Sequence, residues 1–118
     1  MKKTTILNPK FHTYTLDNIH EILLINKAVM LYFSTTSCSV GENLEPKVIQ
    51  LVQNEFPLVH YQSIDMNENQ LVSAHFNVFA EPTVVVFFEG KETIRKSRNF
   101  GMHELEDAIK RPYQLIFE

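Results

Sequence analysis

Of the 118 residues, one is cysteine, none is tryptophan and three are glycine. A lone cysteine excludes an internal disulfide, and with it a small fold held by cross-links; it agrees with a reducing compartment. Long apolar runs are missing as well. The run from Ala28 to Phe33 falls far short of the roughly 20 residues that span a bilayer as a helix. Lys2 and Lys3 lead into no apolar leader segment, because Thr4, Thr5, Asn8, Pro9 and Lys10 interrupt it. Strong charge of one sign is also absent. The net charge of −3 gives no electrostatic reason to bind nucleic acid or an anionic membrane. The five histidines form no His-x-x-x-His pair, so no metal site is expected, and nothing asks for a cofactor. The expected location is the cytoplasm.

What is present is an ordinary globular composition, with 44% apolar and 21% charged residues. A chain of this length fits one domain, 1–118, that buries roughly two thirds of its unfolded surface. Residues 1–10 carry little pattern, and Pro9 argues against a regular element there. Phe11, Thr13, Tyr14 and Thr15 predict a short first strand at about 11–16. Asp17 is positioned to cap a helix with Ile19, Ile22, Leu23 and Ile25 on its apolar face. Ala28 to Phe33 is apolar at every position, as a central strand between two helix layers must be.

A second helix carries Leu44, Val48, Leu51 and Val52, with Pro46 inside the pattern as a kink or in the first turns, and Pro57 closing it. Leu58 to Ile64 predicts a strand. Asp65-Met66-Asn67-Glu68-Asn69 starts like a calcium loop, but Gln70 stands where that loop needs glycine and Phe76 where it needs glutamate. A turn and a short helix through Leu71, Val72 and Phe76 fit better. Val84 to Phe88, a turn at Glu89-Gly90-Lys91, and Glu92 to Asn99 form a hairpin whose basic second strand suits a sheet edge. Gly101 precedes a last helix with Met102, Leu105, Ala108 and Ile109 on one face, which Pro112 is expected to stop. Alternating strands and helices, followed by the hairpin, predict a three-layer α/β/α sandwich around a mixed sheet.

The cysteine stands at one junction in this order. Ser34-Thr35-Thr36-Ser37-Cys38-Ser39-Val40-Gly41 joins the central strand to the second helix. A helix start offers free N–H groups and a positive partial charge, and both favour the thiolate, the reactive form. The other reading of a lone cysteine is a small buried hydrophobe.

The element order with a cysteine at that junction resembles the thioredoxin family over about residues 11–110. Pro46, eight residues after Cys38, is similar to the proline in that family's active-site helix, and Pro82 to its cis-proline. The string Pro82 to Gly90 resembles the following strand and turn, and Gly101 the glycine bordering the substrate groove. The resemblance implies a thioredoxin-like fold, a role in thiol redox homeostasis, and a groove formed by Ser37, Ser39, Val40, Gly41, Glu81, Pro82 and Gly101 around Cys38. It also exposes departures. The second cysteine of Cys-x-x-Cys is Gly41, the flanking tryptophans are Ser34 and Ser37, the buried acid is Tyr32, and Glu81 precedes the proline in place of an aliphatic residue.

Without a second cysteine, Cys38 can attack a disulfide but an external thiol must release the product. Partners are then a protein or low-molecular-weight thiol or disulfide; the oligomeric state is left open. The helix start favours the Cys38 thiolate by ~1 kcal/mol. A Glu81 carboxylate about 6 Å away, at an effective dielectric near 40, opposes it by ~1.4 kcal/mol. The two nearly cancel, which predicts a mediocre nucleophile at neutral pH unless Glu81 points to solvent. The alternative is a non-catalytic module that binds an extended peptide in the groove beside Pro82. An iron–sulfur scaffold of the monothiol glutaredoxin kind ranks below both, because Cys-Gly-Phe-Ser is absent.

Overall fold

The computed structural model describes residues 6–7, 13–35 and 39–118, with side chains at 13–35 and 43–118. Nine elements follow in chain order: β1 (Ile6–Leu7), α1 (Leu16–Ile25), β2 (Ala28–Ser34), α2 (Ser39–Glu55), β3 (His60–Asp65), α3 (Gln70–His75), β4 (Thr83–Phe88), β5 (Lys91–Ser97) and α4 (Met102–Phe117). The sheet order is β1-β3-β2-β4-β5. β1, β3 and β2 run parallel, β4 is antiparallel to β2, and β5 is antiparallel to β4.

β2 is the middle strand and is buried along its whole length, which explains why its residues are apolar on both faces. Alternation along the strand divides the core. Ala28, Met30 and Tyr32 face Val48 and Val52 of α2, Phe56 just after it, and Leu105 and Ile109 of α4. Val29, Leu31 and Phe33 face Ile19 and Leu23 of α1 and Val72 of α3. Two helices therefore cover each face of a mixed sheet, a thioredoxin-like α/β fold. Among the described residues, no helix is long and apolar enough to cross a membrane.

The hairpin turns through Glu89 and Gly90, with φ of 52° and 80°. Two positive φ values in a two-residue loop match the right-handed twist of the flanking strands, and Gly90 adopts its value without steric cost. β5 is the sheet edge, with only Ile94 buried. Thr93 is an extra residue there, since Val86 pairs with Ile94 but Phe87 with Glu92. At the turn after β3, Asp65 Oδ1 accepts from the Asn67 N–H at 2.9 Å and Asp65 O from Asn69 Nδ2 at 3.0 Å. That segment is a hydrogen-bonded turn.

Several element boundaries differ from the sequence expectation. The first strand is Ile6–Leu7; Thr13–Thr15 have no regular structure, and 11–12 lie outside the described residues. Pairing with Tyr61 and Gln62 creates β1, so a partner strand outweighs local propensity. The cap of α1 is Thr15, not Asp17. Thr15 Oγ1 accepts from Asn18 N at 3.0 Å while Asn18 Oδ1 accepts from Thr15 N at 3.2 Å, a reciprocal capping box. Leu58 and Val59 belong to a turn, and β3 starts at His60. Pro112 does not stop α4, which continues to Phe117. The reason is packing. Tyr113 is buried against Phe56 with ring centres 5.1 Å apart, and Phe117 stacks on Tyr113 at 4.8 Å.

Candidate functional site

Cys38 and Ser37 lie outside the described residues. The elements on either side of them are defined: β2 ends at Ser34 and α2 starts at Ser39, with Val40 and Gly41 in its first turn. Pro46 lies within α2 and the helix runs through it.

Sheet register brings distant residues to this junction. Thr83, the first residue of β4, pairs with Phe33 near the end of β2. The preceding residues Glu81 and Pro82 therefore emerge beside the end of β2. The Glu81–Pro82 peptide bond is cis, and Pro82 is buried. The segment is held on both sides: Pro82 O accepts from Arg98 N at 2.8 Å, and Thr83 Oγ1 donates to Ala80 O at 2.7 Å. Gly101 caps α4 with an ordinary φ of −86°, and a Cβ there would meet nothing within 4 Å. Its backbone position alone does not require glycine.

A cavity of about 340 Å³ opens beside this end of the sheet, lined by Thr35, Met66, Gln70, Ser73, Phe79 and Glu81 among others. Phe79 is 77% exposed. Glu81 Oε2 is buried without a hydrogen-bond partner among the described residues. A buried oxygen without a hydrogen bond is a costly arrangement, and it stands next to the cis-proline.

The structure also supplies a buried acid that sequence reasoning missed. Tyr32 is fully buried, with its ring 6.4 Å from that of Tyr61. One turn before Val48 on α2, Glu45 is 7% exposed and points into the same core layer. Its Oε2 accepts from Tyr61 Oη at 2.6 Å and from Ser63 Oγ at 2.7 Å, both on β3. Burial holds the Tyr61 hydroxyl well above the usual tyrosine range, and the Glu45 charge adds to it. The available signal was periodicity: Glu45 falls three residues before Val48 and seven before Val52, on the stripe that faces the sheet. A charged residue on that stripe needs a buried partner, and Tyr61 and Ser63 provide it.

A mixed sheet between two helix layers, with a cis-proline beside a strand-to-helix junction, defines the class of fold. The thioredoxin family model matches residues 10–111. The chain is 28% identical over 102 residues to thioredoxin-like protein YdfQ of Bacillus subtilis, covering 86% of this chain and 90% of that protein. It is 33% identical over 94 residues to thioredoxin H2 of Arabidopsis thaliana, covering 80% and 69% respectively. Among solved structures, thioredoxin 1 of Thermosipho africanus superposes with a TM-score of 0.68 at 30% identity, over 74% of this chain and 96% of that one. The chain belongs to the thioredoxin family. That membership places it among proteins of thiol redox chemistry.

Proposed function

We propose that this chain, acting as one thioredoxin-like domain in the cytoplasm, is a monothiol exchanger that works through Cys38. The observation that carries the reading is Gly41 at the fourth position of Cys38-Ser39-Val40-Gly41 in a chain with no second cysteine. The Cys38 thiolate attacks one sulfur of a substrate disulfide. The bond between the two substrate sulfurs breaks, the distal sulfur leaves as a thiolate, and a mixed disulfide with Cys38 forms. An external low-molecular-weight thiolate then attacks the outer sulfur of that mixed disulfide. Cys38 departs as thiolate, and the new disulfide carries away the oxidising equivalents.

Ser37, Ser39, Val40, Gly41, Glu81, Pro82 and Gly101 form the groove in this reading, with the Glu81 backbone available to an extended substrate by strand addition. Glu81 sets the rate. A carboxylate near the thiol disfavours the second negative charge, so exchange is slow at neutral pH.

One observation favours the second reading, a peptide-binding module without catalysis: exposed Phe79 beside the groove offers an apolar contact. Phe100 is only partly exposed and packs on the core, which is neutral between the two readings, and Ala80 is partly buried.

The test is the rate of alkylation of Cys38 between about pH 5 and about pH 10, followed by intact mass. Labelling of the native protein with a midpoint at or below about pH 8.5 supports exchange, and a midpoint near or below about pH 7 would show in addition that Glu81 does not offset the helix start. A midpoint above about 8.5, or no labelling without denaturant, overturns it and leaves peptide binding.

A further inference from the structure

The layer opposite α2 and α4 holds a pair of side chains that thiol chemistry does not use. His20 of α1 and His75 of α3 are separated by 55 positions, yet their Nε2 atoms lie 3.3 Å apart. Both residues are exposed. The rings meet at 69° with centres 5.1 Å apart. His75 is braced from behind by Phe76, whose ring lies edge-on at 4.9 Å and 89°. Packing of α1 on α3 across the sheet face sets the separation, since Ile19 and Val72 are both buried in the same cluster.

The distance is informative. A tetrahedral metal ion holds imidazole nitrogens at about 2.0–2.1 Å, so two of its ligand atoms stand about 3.3–3.4 Å apart. An imidazole centre lies about 1 Å behind Nε2, so two rings aimed at one such ion have centres about 5 Å apart. Both observed separations, 3.3 Å and 5.1 Å, meet those values. A direct hydrogen bond between the rings satisfies one nitrogen of each but brings no other partner to the pair.

We propose that His20 and His75 form a two-histidine site for a late divalent transition-metal ion, with Zn²⁺ and Cu²⁺ as the chemical class. Imidazole selects these ions over Mg²⁺ and Ca²⁺, which prefer oxygen. Among the described residues no group of three or more His, Cys, Asp or Glu side chains could hold a metal. The described residues supply two arms, and in this proposal water or an external donor fills the remaining coordination positions, with the affinity of a two-armed chelate. The two-residue spacing rules used to find metal sites in sequence cannot register it, because the ligands come from different helices.

The test uses the full chain carrying Cys38→Ser, which removes the thiol as a competing ligand. Zn²⁺ is titrated by calorimetry, and Cu²⁺ is added to a ¹⁵N-labelled sample to locate paramagnetic broadening. One equivalent of Zn²⁺ is expected to bind, with broadening centred on amides around residues 20 and 75. His20→Gln and His75→Gln each weaken binding about a hundredfold, the loss of one arm of a chelate. The exposed His103→Gln leaves it unchanged. Both substituted histidines are exposed, and far-UV circular dichroism verifies folding. Binding that survives His20→Gln at parental affinity, broadening centred elsewhere, or a dissociation constant weaker than about 1 mM overturns the proposal.

Discussion

Glu45 and Glu81 are two carboxylates whose surroundings give them different tasks. Glu45 accepts two hydroxyl protons inside the core. Removing its side chain strands both donors and opens a cavity, so Glu45→Ala is expected to cost about 2–4 kcal/mol in urea or thermal unfolding. Glu45→Gln retains an accepting oxygen and should cost less. Two buried tyrosines, Tyr61 in this cluster and Tyr14 in the opposite core layer, make stability fall at alkaline pH. Burial raises the Tyr61 and Tyr14 hydroxyls above the ordinary tyrosine value. Their contribution is fully present below the unfolded value and is lost as pH rises above it, because the unfolded chain releases protons that the folded chain keeps. Melting temperature is expected to drop above about pH 10, and Tyr61→Phe should flatten that slope. An unchanged slope would assign the loss to Tyr14. Glu81 differs in having a buried oxygen with no hydrogen-bond partner among the described residues, beside the proline. Glu81→Gln is expected to move the alkylation midpoint of Cys38 to lower pH; no movement would mean that its carboxylate does not reach the thiol.

At the scale of elements, the least expected feature is a proline inside the last helix. Pro112 lacks the N–H that would bond one turn back, yet α4 extends five residues beyond it because Tyr113 and Phe117 pack against Phe56 and each other. Local preference loses to burial there. Pro112→Ala is therefore expected to raise stability by about 1–2 kcal/mol, the interior helix penalty less the unfolded-state benefit of proline. A fall in melting temperature would show that the proline ring itself packs productively. The elements best read from sequence were those with a complete pattern: the all-apolar β2, the β4–β5 hairpin with its Gly90 turn, and α3. The cap of α1 was misassigned because Thr15 and Asp17 are both competent caps, and only the reciprocal bond with Asn18 distinguishes them. β1 could not be read at all, because two residues become a strand only when Tyr61 and Gln62 are beside them.

At the scale of the molecule, the C-terminal turn of α4 closes one helix layer. Truncation after Arg111 removes Tyr113, whose hydroxyl also accepts from Leu58 N at 3.3 Å, together with Phe117. A loss of about 3–5 kcal/mol is expected, lowering the melting temperature by more than about 10 °C. An unaltered melting curve would mean that the last turn adds nothing to the core. The sequence by itself determined the α/β class of fold, the hairpin and the position of Cys38 between a strand and a helix. All of these follow from local spacing and residue type. Tertiary structure alone decided which acid is buried, that Glu81 Oε2 is buried with no partner among the described residues, that α4 passes through Pro112, and that His20 meets His75. Each of those depends on side chains brought together across sheet register or helix packing, and no pattern within a few residues encodes such distances.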